Sequence, residues 1–124
     1  MSGLPTVLFA GVATADLEAA MPWYEALFGR PADITVNDDE VMWKVCDGGW
    51  LYLVRDPRRA GQALVTMAVP DLERALSEIA DRGLRPSAIE TVGDAGRKAP
   101  VIDPEGNTIN LIEVLASEEP PPGR

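Results

Sequence analysis

Two stretches of the chain repeat apolar residues with the period of an α-helix. The first stripe follows Asp16 and the second follows Asp71, and each is closed by a glycine, Gly29 or Gly83. Aspartate at a helix N-cap accepts hydrogen bonds from free backbone N–H groups, and glycine adopts the left-handed conformation that ends many helices. The pattern therefore predicts two amphipathic helices, with buried stripes at Leu17, Ala20, Tyr24, Leu27 and Phe28, and at Leu72, Ala75, Leu76 and Ile79.

Short apolar segments surround each predicted helix. One strand is predicted before each helix and three after it, at about 32–37, 40–46 and 50–54, and again at about 85–92, 97–103 and 108–115. The turns between these strands carry Asn, Asp and Gly, as in "NDD", "DGG" and "DPEGN". The chain therefore consists of a βαβββ unit that occurs twice, with an offset of roughly 55 residues.

This repeat predicts an α+β fold: tandem βαβββ modules form curved mixed sheets around a cup, with the helices outside. One domain is expected over residues 1–116, with module one at about 5–56 and module two at about 62–115. Residues 117–124 are polar and proline-rich, which predicts a disordered tail.

Composition narrows the choice of partners. The 124 residues include 11 Lys and Arg, 20 Asp and Glu and no histidine, for a formal net charge of −9. Nucleic-acid binding needs a basic surface, so this charge argues against a nucleic-acid partner. No apolar run is long enough to span a bilayer, which argues against a membrane partner. The single cysteine, Cys46, fits a cytoplasmic location, and we expect it to be a small buried apolar residue.

Three segments carry a resemblance to a known family. They are "VATADLEAAMPWYEALFG" at 12–29, "VPDLERALSEIADRG" at 69–83 and "DPEGNTINLIEV" at 103–114. They resemble the first strand and helix, the start of the second module and the final hairpin of the vicinal oxygen chelate superfamily. That superfamily includes glyoxalases, extradiol dioxygenases, fosfomycin-resistance enzymes and bleomycin-binding proteins. The resemblance covers nearly all of residues 5–115 and implies a homodimer, with the cup formed either within one chain or across the dimer.

Metal-using members of this superfamily place one ligand on each of four strands, all pointing into the cup. The corresponding positions in this chain hold Phe9, Tyr52, Leu64 and Asn110. Phenylalanine and leucine have no donor atom, and divalent transition metals prefer imidazole, thiolate or carboxylate ligands. The resemblance therefore predicts a glyoxalase-like member that lacks the usual metal ligands and uses no cofactor.

Strand alternation extends the lining of the predicted cup beyond these four positions. The candidate ligand-binding residues are Phe9, Trp50, Tyr52, Leu64, Thr66, Thr108 and Asn110. An apolar, aromatic cavity with a few polar groups is typical of sites for small organic ligands. In the empty cup, Asn110 is expected to bind ordered water or the Tyr52 hydroxyl. Whether Trp23 and Trp43 also face the cup is left open.

Three functions remain open. The first is a metal-free protein that binds and sequesters a drug or a metabolite. The second is a metal-independent lyase or isomerase of the same superfamily, for which the sequence offers no recognisable acid–base pair. The third is a structural dimer whose cup is filled by its own side chains. In all three, Arg97 and Glu113 are expected to be solvated charges at strand ends.

Overall fold

The computed structural model describes residues 3–94 and 96–114, which form two modules of the same design. Module one contains β1 (Leu8–Thr14), α1 (Leu17–Phe28), β2 (Ile34–Asn37), β3 (Glu40–Cys46) and β4 (Gly49–Arg55). Module two contains β5 (Leu64–Ala68), α2 (Leu72–Asp81), β6 (Glu90–Val92), β7 (Gly96–Ile102) and β8 (Thr108–Val114). The tandem βαβββ order predicted from the sequence is confirmed.

Each module folds into one mixed four-stranded sheet. Sheet 1 has the strand order β1-β4-β3-β2, and sheet 2 has the equivalent order β5-β8-β7-β6. The first strand of each module lies parallel to its last strand, so β1 pairs with β4 and β5 pairs with β8, while the other pairs are antiparallel. In each module the helix connects the first strand to the second at the opposite edge of the sheet, and short turns join the antiparallel neighbours that follow. The α+β class is therefore confirmed.

The helix boundaries follow the capping residues that the sequence supplies. The Asp16 side chain accepts a hydrogen bond from the backbone N–H of Ala19, and Asp71 accepts one from Arg74. Helix α1 stops at Gly29, whose φ of 75° is left-handed. Helix α2 ends at Asp81 with Arg82 as its C-cap, and the next residue, Gly83, has a positive φ of 98°. Local capping chemistry thus determines both helices.

One face of each sheet carries the hydrophobic core. In sheet 1 the buried residues alternate along the strands, and they pack against the apolar stripe of α1. These strand residues are Val12, Val41, Trp43, Leu51 and Leu53. In sheet 2 the equivalent set packs with α2: Ala99, Val101, Ile109 and Leu111. All these side chains belong to a single core that joins the two modules. Because side chains alternate across a strand, the residues between them lie on the opposite face, called here the open face of each sheet.

One strand is shorter than the sequence predicts. We expected a strand at about 85–92, but β6 covers only Glu90–Val92. Pro86 has no backbone N–H to donate to a sheet ladder, which explains the loss of the first half of that strand. The Ser87 N–H still donates to the Pro100 carbonyl at 2.8 Å, so the segment follows β7 without pairing fully. The predicted tail at 117–124 lies outside the described residues.

Candidate functional site

An aromatic pair dominates the open face of sheet 1. Phe9 on β1 lies directly opposite Trp50 on β4, and their rings stack with centroids 6.3 Å apart at an interplanar angle of 23°. Phe9 is 50% exposed, although it is a large apolar side chain on a regular strand. Exposed stacked rings of this kind can bind the flat apolar part of an organic molecule. The structure thus brings together two of the residues predicted from the sequence.

Tyr52 lies on the same face, two residues beyond Trp50 along β4. Its register partner on β1 is Gly11, and the phenol ring lies directly over that glycine. A Cβ atom at position 11 would be only 2.4 Å from Tyr52 Cζ, so a larger residue there would displace the ring. Gly11 therefore fixes where the Tyr52 hydroxyl lies.

The other four predicted residues lie on the open face of sheet 2. Leu64 is opposite Thr108, and Thr66 is opposite Asn110. Leu64 is 73% exposed, even more than Phe9. The Asn110 amide is 3.5 Å from the Thr66 hydroxyl, a long hydrogen bond within the sheet. Among the described residues Asn110 therefore contacts the Thr66 hydroxyl of the neighbouring strand, and it makes no hydrogen bond with Tyr52 of the other sheet.

Within one chain the predicted residues form two clusters rather than one enclosed cup. A cavity of about 300 Å³ between the sheets is lined by Trp50 from sheet 1 and Thr66 from sheet 2, and by apolar residues of both. Trp43 is not part of either open face: it is buried against α1, and its Nε1 donates to the Arg30 carbonyl at 3.0 Å. Trp23 lies on α1 beside Tyr24, with centroids 4.7 Å apart.

The four positions equivalent to metal ligands do not fit a metal ion. Phe9 and Leu64 have no donor atom, and the remaining two are a phenol and an amide on different sheets. Within residues 3–94 and 96–114, no group of three or more His, Cys, Asp or Glu side chains is close enough to hold a metal. The side chains at these four positions therefore do not fit the metal site that the superfamily implies.

Cys46 differs from its expected role. The thiol is exposed and free, at the end of β3, and it lines the cavity between the sheets. The buried residues of β3 are Val41 and Trp43, so strand alternation itself leaves Cys46 outside the buried set.

The "DPEGN" turn contains a buried carboxylate, Asp103. The sequence pattern predicted only a turn at this place. Oδ2 of Asp103 accepts hydrogen bonds from the Tyr24 hydroxyl at 2.7 Å and from Asn107 Nδ2 at 2.9 Å. Oδ1 accepts from the backbone N–H groups of Glu105 and Asn107, each at 2.9 Å. Burial raises the pKa of the Tyr24 phenol above its usual range, and the hydrogen bond to Asp103 raises it further. The phenol therefore remains a proton donor to the carboxylate.

The same turn connects module two to module one. Asn107 Nδ2 also donates to the Ala13 carbonyl at 3.0 Å, while Asn107 Oδ1 accepts from the Ala63 N–H at 2.9 Å. The Glu105 carboxylate accepts from the Thr14 hydroxyl and from the Ala15 N–H, the latter at 2.9 Å. These bonds hold the end of β1 beside the start of β5. A signal for this connection was present in the sequence: a phenol within the buried stripe of α1 needs a hydrogen-bond partner.

Glu113 is a structural carboxylate rather than a solvated one. It accepts the Leu72 N–H at the start of α2 at 2.8 Å, and it pairs with Arg97 at 3.1 Å. Arg97 also pairs with Glu73 of α2. The hydrogen bond from Leu72 lowers the pKa of Glu113 below its ordinary value of 4.5, and the Arg97 guanidinium lowers it further. The two expected strand-end charges thus connect β7 and β8 to α2.

We expect the stabilisation from Glu113 to depend on pH. Because the folded-state pKa is depressed, the contribution is present above pH 4.5 and is lost as the pH falls through the lower folded-state value. Urea unfolding of wild type and Glu113→Gln from pH 7 to pH 3 should therefore show a stability difference that shrinks on acidification. The exposed Glu90, which forms no ion pair among the described residues, provides the control variant Glu90→Gln. An equal, pH-independent difference for both variants would contradict this role.

Comparison with solved structures identifies the family. A glyoxalase/bleomycin resistance protein from Catenulispora acidiphila is 38% identical to this chain, with a TM-score of 0.83 over 88% of this chain and 98% of that chain. The chain belongs to the glyoxalase/bleomycin resistance protein family. The resemblance to the vicinal oxygen chelate superfamily drawn from the sequence is thereby confirmed.

More distant structures share the fold of this family member. TnmS3, an antibiotic binding protein from Streptomyces sp. CB03234, is 22% identical to this chain. Its TM-score is 0.72, over 93% of this chain and 100% of that chain. A bleomycin resistance determinant encoded on the transposon Tn5 is 19% identical, with a TM-score of 0.69 over 86% of this chain and 96% of that chain. No family model and no curated protein matches the sequence. Neither helix in the described part of the chain is long and apolar enough to cross a membrane.

Proposed function

We propose that this member of the glyoxalase/bleomycin resistance family is a metal-free protein that binds and sequesters a small organic molecule. One observation carries the proposal: a stacked, half-exposed Phe9–Trp50 pair lies where the superfamily places a metal ligand. A stacked aromatic surface contributes binding free energy by burying the apolar body of a ligand. A site of this composition suits a planar, drug-sized molecule better than an ion. Tyr52, Leu64, Thr66, Thr108 and Asn110 complete the proposed binding surface.

Two related structures support this choice of ligand class. One is described as an antibiotic binding protein and another as a bleomycin resistance determinant, and both share the fold of this chain. Fold likeness alone does not determine a ligand. Combined with the aromatic open face, it favours sequestration of an antibiotic or a similar metabolite in the cytoplasm.

We further propose that the binding surface is completed by homodimerisation. Both open faces expose large apolar side chains: Phe9 and Ile34 on sheet 1, and Leu64 and Ile102 on sheet 2. Contiguous exposed apolar surface marks an interaction site more often than a solvated one. In a two-fold dimer each open face can be covered by a partner, which would close the two clusters into a cup.

Native mass spectrometry of the purified protein with a panel of antibiotics and metabolites tests these proposals together. We expect a species of twice the 13.3 kDa chain mass that carries an unchanged organic ligand and no stoichiometric metal. Chelator treatment should leave thermal stability unchanged. Three results would count against the proposals: a 13.3 kDa species at tens of micromolar protein, one equivalent of zinc or nickel whose removal lowers stability, or a ligand released in chemically altered form.

A further inference from the structure

A second cavity, of about 290 Å³, lies at one end of the open face of sheet 1. Its floor consists of two register pairs that continue the Phe9–Trp50 row along the same strands, namely Gly11 with Tyr52 and Ala13 with Val54. Its wall is residues 56–63, the connection between the two modules, called here the linker. The linker contributes Asp56, Arg59, Gln62 and Ala63. The open face of sheet 1 is therefore aromatic at one end and polar at the other.

The linker is held in place at both ends. The Asp56 N–H donates to the Thr14 carbonyl at 2.9 Å, and the Ala63 N–H donates to Asn107 Oδ1 at 2.9 Å. Between them, Gly61 has a φ of +85° and packs so closely on the Glu105 carbonyl that a Cβ would lie 2.5 Å from it. Groups that are fixed before binding lose less conformational freedom when a ligand arrives. The backbone of this wall is thus preorganised.

The two charged side chains that line the cavity, Asp56 and Arg59, form an ion pair in which Arg59 is 85% exposed. Arg59 pairs with Asp56 at 3.7 Å, and Asp56 also accepts the Arg58 N–H at 3.2 Å. Asp56 and Arg59 together bring no net charge to the cavity, and its two other polar side chains are uncharged. Neither the Gln62 amide nor the Tyr52 hydroxyl makes a hydrogen bond within residues 3–94 and 96–114. Each of these groups can both donate and accept. They match an uncharged ligand group that can both donate and accept hydrogen bonds.

We infer that this cavity is a subsite for an uncharged hydrogen-bonding group of the ligand, such as a carboxamide or a hydroxyl, and that Gln62 and Tyr52 determine this specificity. The inference rests on the proposed function, because it takes the ligand body to lie on Trp50 and Phe9. Residues two apart on a strand are about 6.7 Å apart, so a substituent at the end of a planar ring system on Trp50 reaches the Tyr52 hydroxyl. Asn110, on the other sheet, is not part of this subsite.

Two matched compounds test the subsite: acridine and acridine-2-carboxamide, which differ by one uncharged group. Binding to the full-length protein is measured by isothermal titration calorimetry. Wild type should bind the carboxamide about five- to tenfold more tightly than acridine, as one or two added hydrogen bonds allow. In Gln62→Ala and in Tyr52→Phe this preference, taken as the ratio of the two affinities within the same variant, should fall to about twofold or less. The control variant is Arg58→Ala, an exposed linker residue outside the lining of this cavity, and it should keep the full preference. Thermal melting checks that each variant folds.

The outcomes separate the subsite from the function on which it rests. Loss of the preference in both variants, with acridine still bound, supports the subsite. Equal binding of the two compounds by wild type, or a preference that survives both substitutions, overturns the subsite and leaves the proposed function standing. If neither compound binds wild type, the planar-ligand function is overturned and the subsite with it.

Discussion

Replacing Asp103 with alanine should lower the free energy of unfolding by about 3–4 kcal/mol, because four donors lose their acceptor in a buried site. The Tyr24 hydroxyl, Asn107 Nδ2 and two backbone N–H groups all donate to this carboxylate. The loss should exceed that of an ordinary surface substitution, since the turn also holds module two against module one. Urea denaturation followed by circular dichroism measures the difference.

The matched control is Asp38→Ala. Asp38 is an exposed turn residue for which no hydrogen bond or ion pair is present among the described residues, so its removal should change stability by about 0.5 kcal/mol or less. The loss of unfolding free energy in Asp103→Asn should lie between those of Asp103→Ala and Asp38→Ala, because an amide keeps one acceptor oxygen and loses the other. If Asp103→Ala is no more destabilising than Asp38→Ala, the carboxylate does not hold the modules together.

Replacing Trp50 with alanine should weaken the binding of acridine by about 30-fold or more, the effect expected when a central aromatic anchor of a binding surface is removed. Trp50 supplies one of the two stacked rings, and it also lines the cavity between the sheets. Its side chain is only partly buried and lies outside the continuous core, so stability should fall by about 1 kcal/mol. Calorimetric titration and thermal melting of the same samples separate these two effects.

Trp23→Ala controls for the loss of an indole. Trp23 is also partly buried, but it belongs to α1, and its ring contact is with Tyr24 rather than with the open face. This variant should lose stability and retain wild-type affinity for acridine. A Trp50→Ala protein that still binds acridine normally would show that the stacked pair is not the binding surface.

The fold was largely predictable because its signals are local. The repeated Asp-Leu-Glu capping segments fixed the start of both helices, and Asp16 and Asp71 cap them as expected. Alternation along β1 and β4 placed Phe9, Trp50 and Tyr52 on one face. Two predictions were wrong. Pro86 shortens β6, and Cys46 is exposed because it lies outside the buried alternation of Val41 and Trp43 on β3.

The candidate site was harder to predict from the sequence, because its contacts depend on tertiary structure. Sequence periodicity named the side chains on each open face, but not that Asn110 would lie beside Thr66 instead of Tyr52. Periodicity also did not show which face of the sheet Trp43 occupies; in the structure its side chain is buried in the core on the α1 side. Periodicity reports which face of a strand a residue occupies, whereas a contact between strands of different modules depends on how those modules pack.

The sequence by itself determined the βαβββ repeat, the helix caps, the family resemblance and the lack of metal donors at Phe9 and Leu64. Only the tertiary structure decided how the modules are joined. Tyr24 and Asp103 are 79 residues apart in the chain and meet in one buried hydrogen bond. The linker becomes a cavity wall because Thr14 of module one and Asn107 of module two hold its two ends. Short-range patterns record burial and local backbone conformation, but a polar group's distant partner is decided when the modules pack and every buried donor must find an acceptor.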